Sequence, residues 1–374
     1  MPNFNKKVYF CSIFSLDGFR NVVSILVRGD SILLEAGMHV GIAGIGIYIP
    51  PQRMTAGDLA ARTGVPEDVI AQKFGVKSKP VAGPDDSTAD MGYKAARKAI
   101  EEAKIRAEDI DLVIWCGAQH KDYPCWLAGL NVANRLGAAK AWSFDMEAMC
   151  GSMMAALDLA KSLMLTHDDL ETVLLVSGYR NNDLIDLSNP QTRFMMDIGS
   201  GGSACVLKKN LGRNVVLASA FRGDGSLSEM CVVPVLGSKK WPPSAEDATH
   251  PYFVVPDEEA FKKKLGEVTM PNFYTVIRES MKKSGFGEKD IGYLAILHFK
   301  KSAHDAVLAE LGLKPEQSTY LDEYGHIGQN DQLLSITLGL AANKIHDGSV
   351  IVLVGAGLGF VWAATTVRWG PWNE

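Results

Sequence analysis

Residues 141–157 read AWSFDMEAMCGSMMAAL, and the reading of this stretch decides the fold. Ala141 to Met146 is a short strand, and a helix opens at Ser152 and runs through SMMAALDLAKSLML. That helix is apolar nearly all round, with Met153, Met154, Ala156, Leu157, Ala160 and Leu163 spread over its circumference, so it must be buried on every side. A buried helix fed by a strand implies layers above and below it, the mark of a layered α/β protein. Cys150 and Gly151 stand where strand turns into helix. Unpaired N–H groups and the helix dipole at that end stabilise a thiolate. Gly151 lets a carbonyl approach the backbone, and the Cys150 N–H is placed to meet an oxyanion. A buried cysteine taken alone is usually inert core. The strand-Cys-Gly-helix setting argues for a nucleophile.

The same alternation extends outward in both directions. HVGIAGIGIYIP (39–50) reads as a strand, and TAGDLAARTG (55–64) and PEDVIAQKFG (66–75) as short helices with glycine stops. STADMGYKAARKAIEEAK (87–104) is a helix capped by Ser87 or Thr88. DLVIWCGA (111–118) is a buried strand, WLAGLNVANRLG (126–137) a helix, and TVLLVSG (172–178) and GSACVLKK (202–209) are strands. The second half then repeats the first. EKDIGYLAILHF, AVLAELGL and TYLDEYGHIG fall in line with AEDIDLVIWCGA, NVANRLGA and AWSFDMEAMCG, and pairing Asp145 with Asp322 sets Cys150 beside His326. Two copies make a duplication, not a solenoid. The expected organisation is an N-terminal half, 38–212, carrying the nucleophile, and a C-terminal half, 213–374, with the junction near residues 210–214. Residues 1–37 fit this pattern poorly; Met38 is expected as the natural start and 1–37 as a dispensable leader.

Composition narrows the function classes. The chain has 374 residues, 47% of them hydrophobic, and a formal net charge of −5. No basic patch suits nucleic acid or a membrane surface. The apolar runs of the first 37 residues are broken by charge and too short to span a bilayer. Six widely spaced cysteines without a C-x-x-C pair read as reduced thiols of a cytoplasmic protein. The Pro-rich stretch Pro234 to Pro256 is irregular enough to cover a site.

Two histidines join Cys150. His298 ends the strand Tyr293–Leu297, and the carboxyl ends of strands are where sites collect in layered α/β proteins. His326 follows the strand Thr319–Asp322, in the turn Tyr324-Gly-His-Ile-Gly328, which the repeat sets opposite Cys150. Either can relay a proton or donate to a thioester oxygen. No histidine pair has metal-ligand spacing, so no metal is expected. The glycines at 41, 44 and 46 lack the dinucleotide order and run into prolines. Those at 355, 357 and 359 read as a tight hairpin whose free N–H groups complete an oxyanion hole.

With these residues on the page, the chain from about Val40 to Gly370 resembles the thiolase superfamily, most closely ketoacyl-acyl-carrier-protein synthase III. The resemblance is carried by GIAGIGIYIP, FDMEAMCGSMMAAL, DIGSGGSACVL, LAILHF, DEYGHIGQ and VLVGAGLGFVWAATTVRWG in that order. It implies a duplicated αβαβα fold around buried central helices, a homodimer, and acyltransferase chemistry without a cofactor. Cys150 would accept the acyl group, His298 matches the family's first active-site histidine, and His326 stands where the family has asparagine. The backbone N–H groups of Cys150 and Leu358 would hold the oxyanion. The implied reaction is a decarboxylative Claisen condensation of acyl-Cys150 with a malonyl thioester, as in fatty acid biosynthesis, with acyl-coenzyme A or acyl carrier protein as donor.

Departures touch the substrate side. The family's adenine-stacking tryptophan and the asparagine and arginine downstream of the histidine become Val69, Lys301 and Ala303, and a nearby arginine becomes Lys73. Arg193 nearly matches a further coenzyme A contact. Lys73, Arg193 and Lys301 are therefore the expected substrate-binding residues. Gln119 stands where hydroxymethylglutaryl-coenzyme A synthases carry a glutamate base, which disfavours condensation of that kind. The alternative activity is acyl transfer to a non-malonyl acceptor or hydroxymethylglutaryl-coenzyme A synthase-like condensation, and a degenerate partner subunit is the non-enzymatic alternative.

Overall fold

Glycine and alanine set how closely the first layers pack. The structure, a computed structural model, describes residues 38–372; the expectation of a dispensable leader lies outside the described residues. The chain opens with β1 (Val40–Tyr48), β2 (Arg53–Thr55), α1 (Ala56–Thr63) and α2 (Glu67–Val69), which runs on as a π turn over Ile70–Phe74. β3 (Ser78–Pro80) pairs with β2, followed by α3 (Thr88–Ala103), β4 (Leu112–Gly117), α4 (Ala128–Leu136), β5 (Trp142–Glu147) and α5 (Ser152–Thr166). β6 (Thr172–Tyr179), β7 (Gly201–Lys209) and β8 (Arg213–Gly223) come next. The rest is α6 (Ala245–Thr249), α7 (Glu258–Lys283), β9 (Ile291–Ile296), α8 (Lys301–Glu310), α9 (Asp331–Ala341), β10 (Val350–Gly357) and β11 (Val361–Pro371).

Local chemistry explains the boundaries. Thr55 and Asp58 close a reciprocal capping box on α1, and Gly64 ends it in the left-handed conformation. Ser87 caps α3 by accepting the Asp90 N–H. A Cβ on Gly44 or Gly46 would collide with the carbonyls of Ala99 or Ala95 on α3. The opening glycine run is thus a packing device between strand and helix.

Nine strands form one mixed sheet in the order β5-β4-β6-β7-β1-β8-β11-β10-β9. Read outward from the β1–β8 contact, β1-β7-β6-β4 on one side corresponds to β8-β11-β10-β9 on the other. β4 and β6 run parallel, as do β9 and β10. The first side ends in a fifth strand, β5. The second does not, which corrects the expectation of a strand over Thr319–Asp322. There Ser318 alone makes a bridge, to Leu294. The Asp322 carbonyl accepts the N–H groups of Lys77 and Ser78, and Leu321 starts a turn that closes at Tyr324 and Gly325, so the backbone has other partners.

The two central helices share one core. Met153, Met154, Ala156, Leu157 and Ala160 of α5 and Leu333 and Ile336 of α9 are fully buried in the same cluster. Each large side chain there contributes about 1.5–3 kcal/mol, and that rigid base fixes the N-termini of both helices. The Pro-rich stretch 234–256 contains α6, pairs back through Val232 and Val254, and buries Val235, Phe253 and Val255. Phe253 and Val255 belong to the cluster that contains Cys150, so the stretch packs on the site's side of the core.

Candidate active site

Cys150 sits on a strained turn. β5 leads to a single 3-10 turn, Met149–Gly151, and then to α5. Met149 has φ 48, a left-handed conformation unfavourable for a side chain of its size. Ser152, the first residue of α5, pins the turn: its Oγ accepts the Ala148 N–H at 2.8 Å and lies 2.9 Å from the Gly117 carbonyl. From behind, a Cβ on Gly357 would sit 2.9 Å from the Cys150 nitrogen, so glycine is needed where β10 passes the nucleophile. Leu358 begins the turn that follows and is half-buried against the same cluster as Cys150.

Cys150 is 7% exposed, and its Sγ lies 3.1 Å from Nε2 of His326. The Nδ1 of His326 is 2.6 Å from Oδ2 of Asp331, the first residue of α9. Asp331 is fully buried and accepts two backbone N–H groups besides, from Ile327 and from His298, each at 2.8 Å. Cys150, His326 and Asp331 thus form a continuous line. Burial works against a charged ring, yet the charge of Asp331, then that of Cys150, raises His326 well above the ordinary histidine value. The Tyr179 hydroxyl stands 4.0 Å from the sulfur. Burial first, and then the charge of Cys150, keep that phenol protonated.

His298 is not brought onto the sulfur. Its N–H is held by Asp331, while Nδ1 lies 2.8 Å from Asp197 Oδ2 and Nε2 3.1 Å from the Gly75 carbonyl. Both ring nitrogens are occupied. Asp197 is steadied in turn by Lys79, whose buried Nζ donates to the carbonyls of Met196 and Ile198 at 2.8 and 2.7 Å. Against the burial penalty, the hydrogen bond from His298 and the charges of His298, His326 and Lys79 hold Asp197 below the usual carboxylate range.

Three other thiols among the described residues are buried in the core. Burial pushes Cys116 and Cys231 up to about 12 and raises Cys205 as well. These are core residues. Lys73 and Lys301 do meet, on a cavity of about 600 Å³ bounded also by Phe74, Lys300 and Asp305. Arg193 is not among its lining residues, and its Nε is buried without a hydrogen-bond partner. A smaller cavity of about 210 Å³ lies beside the nucleophile turn, lined by Ala148, Gly151, Ala155, Phe221, Val361 and Ala363 among others.

Asp331, Asp197, Tyr179 and Lys79 escaped the sequence reading. Asp331 had a signal, an acidic residue five positions after His326 at the start of an apolar run. Asp197 heads the segment DIGSGGSACVL, already singled out for other reasons.

Comparison with known proteins agrees with this fold. Residues 144–225 match the family described as 3-oxoacyl-(acyl-carrier-protein) synthase III, and residues 281–369 match its C-terminal family. The beta-ketoacyl-(acyl-carrier-protein) synthase III of Geobacillus kaustophilus is 27% identical over 337 residues, 89% of this chain and 100% of the relative. The 3-oxoacyl-(acyl carrier protein) synthase III structure from Pseudomonas aeruginosa has a TM-score of 0.77 at 23% identity, covering 90% of this chain and all of that one. The synthase III structure from Thermus thermophilus gives 0.76 at 24% identity, over 88% of this chain and 99% of that one. Two matching family models, a relative aligned over its full length and a shared fold show that this chain is similar to the 3-oxoacyl-(acyl-carrier-protein) synthases III.

Proposed function

We propose that the protein is an acyltransferase that condenses an acyl thioester with a malonyl thioester and releases carbon dioxide. The observation that carries this reading is the 3.1 Å approach of His326 Nε2 to the Cys150 sulfur at the facing ends of two buried helices. In the first step the sulfur attacks the donor carbonyl, the donor thiolate leaves, and the N–H groups of Cys150 and Leu358 stabilise the oxyanion. In the second, the malonyl thioester loses carbon dioxide. The resulting enolate carbon attacks the acyl-Cys150 carbonyl, and the carbon–sulfur bond breaks to free the 3-oxo product. His326 donates to the enolate oxygen. His298 enters as a second donor in that step only, because its Nε2 must first leave the Gly75 carbonyl.

The substrates come to this reading from the relatives' names. Lys73, Lys300 and Lys301 form a cationic mouth suited to the phosphate of a phosphopantetheine arm, which coenzyme A and acyl carrier protein share. Arg193 has no place at that mouth. The small apolar cavity beside Gly151 suits the acyl chain. The edge of β5, unpaired among the described residues, with Trp142 51% and Leu130 53% exposed nearby, supports a homodimer through that edge. The mirrored strand order supports two halves joined between Lys209 and Arg213. Among the described residues no helix is long and apolar enough to cross a membrane; the cytoplasm is the proposed location.

Intact-mass screening with short acyl-coenzyme A and acyl-carrier-protein donors should add one acyl group, on the peptide bearing Cys150. A labelled malonyl donor should then release carbon dioxide in step with product. Loading without carbon dioxide release would sink the condensation; no loading by any donor would sink the enzyme reading.

A further inference from the structure

We propose that Asp331 keeps His326 doubly protonated throughout the reaction, so that His326 acts as a charged hydrogen-bond donor and never as a base. This rests on the condensation reading above and assigns the electrostatic origin of its donor.

A neutral imidazole carries one N–H, and His326 has a partner at each nitrogen: Asp331 Oδ2, an acceptor, at 2.6 Å, and the Cys150 sulfur, which accepts from Nε2 as the thiolate, at 3.1 Å. Asp331 also receives two backbone N–H groups, from Ile327 and His298, neither of which can accept in return. A carboxylate so surrounded is an acceptor, and Nδ1 must carry a proton. In a neutral ring Nε2 would then present a lone pair. That serves to take the thiol proton, but it repels an enolate oxygen in the second step. Only the imidazolium donates on both sides.

The groups facing His326 from each packed element support the charged form. Cys150 comes from the turn before α5, Tyr179 from the end of β6, and Asp331 from α9. The Asp197 carbonyl accepts the His326 N–H at 2.9 Å, and its carboxylate adds negative charge. Lys79 and His298 oppose it, and both are already bound, to the backbone around Asp197 and to Asp197 itself. The balance raises the ring's proton affinity.

Protons and charge close over the cycle. In the cycle so proposed the thiol proton of Cys150 goes to water rather than to His326, and the sulfur attacks as the thiolate beside the imidazolium. Acylation consumes the thiolate, and the departing donor thiolate takes its proton from water. The Nε2–H then faces the enolate oxygen left by carbon dioxide. Carbon–carbon bond formation expels the Cys150 thiolate back beside the same imidazolium, and His326 has lost nothing. The asparagine that the family resemblance implies at this position donates without titrating. A histidine donor therefore carries a signature that an amide lacks, loss of activity on the alkaline side.

The test is the pH dependence of condensation and of acyl loading in the full chain, for the wild type, Asp331→Asn, His326→Asn and the double variant, with melting temperatures alongside. Expected results are an alkaline limb in the wild type, a limb moved down by at least about one pH unit in Asp331→Asn, and no limb in His326→Asn with or without the second change. A limb unmoved in an Asp331→Asn protein that melts normally, or one that survives in His326→Asn, overturns the proposal. If Asp331→Asn does not fold, nuclear magnetic resonance titration of the His326 ring in Cys150→Ala asks the same question without turnover. A ring that titrates at the ordinary histidine value overturns it there. That readout is independent of carbon dioxide release, so failure of the condensation reading and failure of this one are distinguishable.

Discussion

The nucleophile turn before α5 and the histidine turn before α9 hold equivalent places in the two sides of the sheet, and both are pinned by the first residue of the helix they feed. In the first turn Ser152 accepts the Ala148 N–H; in the second Asp331 accepts the Ile327 N–H. The device is the same and the charge is not. A hydroxyl holds the nucleophile turn without biasing any proton, whereas a carboxylate both holds the second turn and polarises the ring it carries. The neighbouring acids differ as well. Asp145 on β5 is tied to Lys121 at 2.8 Å and to the first N–H groups of α4, inside the fold. Asp322, its counterpart in the repeat, pairs outward with Lys77 at 2.7 Å. The comparison teaches that the two turns divide the labour: one carries the Cys150 sulfur, and the other carries the His326–Asp331 pair that meets it.

The sharpest break of this division is Cys150→Ala, which should abolish acyl loading by mass and lower turnover by at least ~10³-fold, with the melting temperature little changed. His326→Ala comes next, at ~10²–10³-fold in the condensation rate, because a preorganised donor is removed. His298→Ala should slow acyl loading by less than about tenfold, the scale of one net hydrogen bond, since its ring is bound to Asp197 and Gly75. Single-turnover loading assays read the two histidines side by side; equal losses would mean that both act on the sulfur. Ser152→Ala separates the two anchors. It should cost about 1–3 kcal/mol of stability by orphaning the Ala148 N–H, measured by denaturant unfolding, and should leave the shape of the pH profile alone.

What was legible in the sequence follows from the range of the interactions involved. The uniform apolarity of α5 and the glycine stops at 64 and 137 are local, and the structure keeps them. The strand expected at Thr319–Asp322 was lost to a distant competitor, the N–H groups of Lys77 and Ser78, which no local pattern announces. His298 was placed at its strand end but not in its orientation, because its ring partners lie 101 and 223 residues away in the chain. Asp331 was passed over for a different reason. An acid at a helix start already has a sufficient local explanation in the dipole, and nothing nearby reveals that it faces inward.

Lys79 offers the finest test, because it supports the His298 side of the site and touches neither His326 nor Cys150 through any hydrogen bond described above. Burial lowers it to about 8 from its ordinary 10.5, with the charge of Asp197 resisting. Between those values the unfolded chain holds a proton that the folded chain has released, so folding stability rises with pH across that window. Below it both states are charged and the slope vanishes. Lys79→Met removes the titrating group together with two hydrogen bonds to carbonyls, which gives a constant offset plus a lost slope. The stability difference between wild type and Lys79→Met should therefore be flat from pH 6 to 7.5 and should shift in favour of the wild type from about pH 8 toward 10, by at most ~3 kcal/mol. Denaturant midpoints at matched ionic strength measure it. A difference that stays flat to pH 10 would mean that Lys79 remains charged in the fold and that Asp197 balances it as a full ion pair. The His298 side would then be an electrostatic counterpart of the His326 side rather than its scaffold, and the division of labour drawn from the two turns would have to be redrawn with a second charged centre.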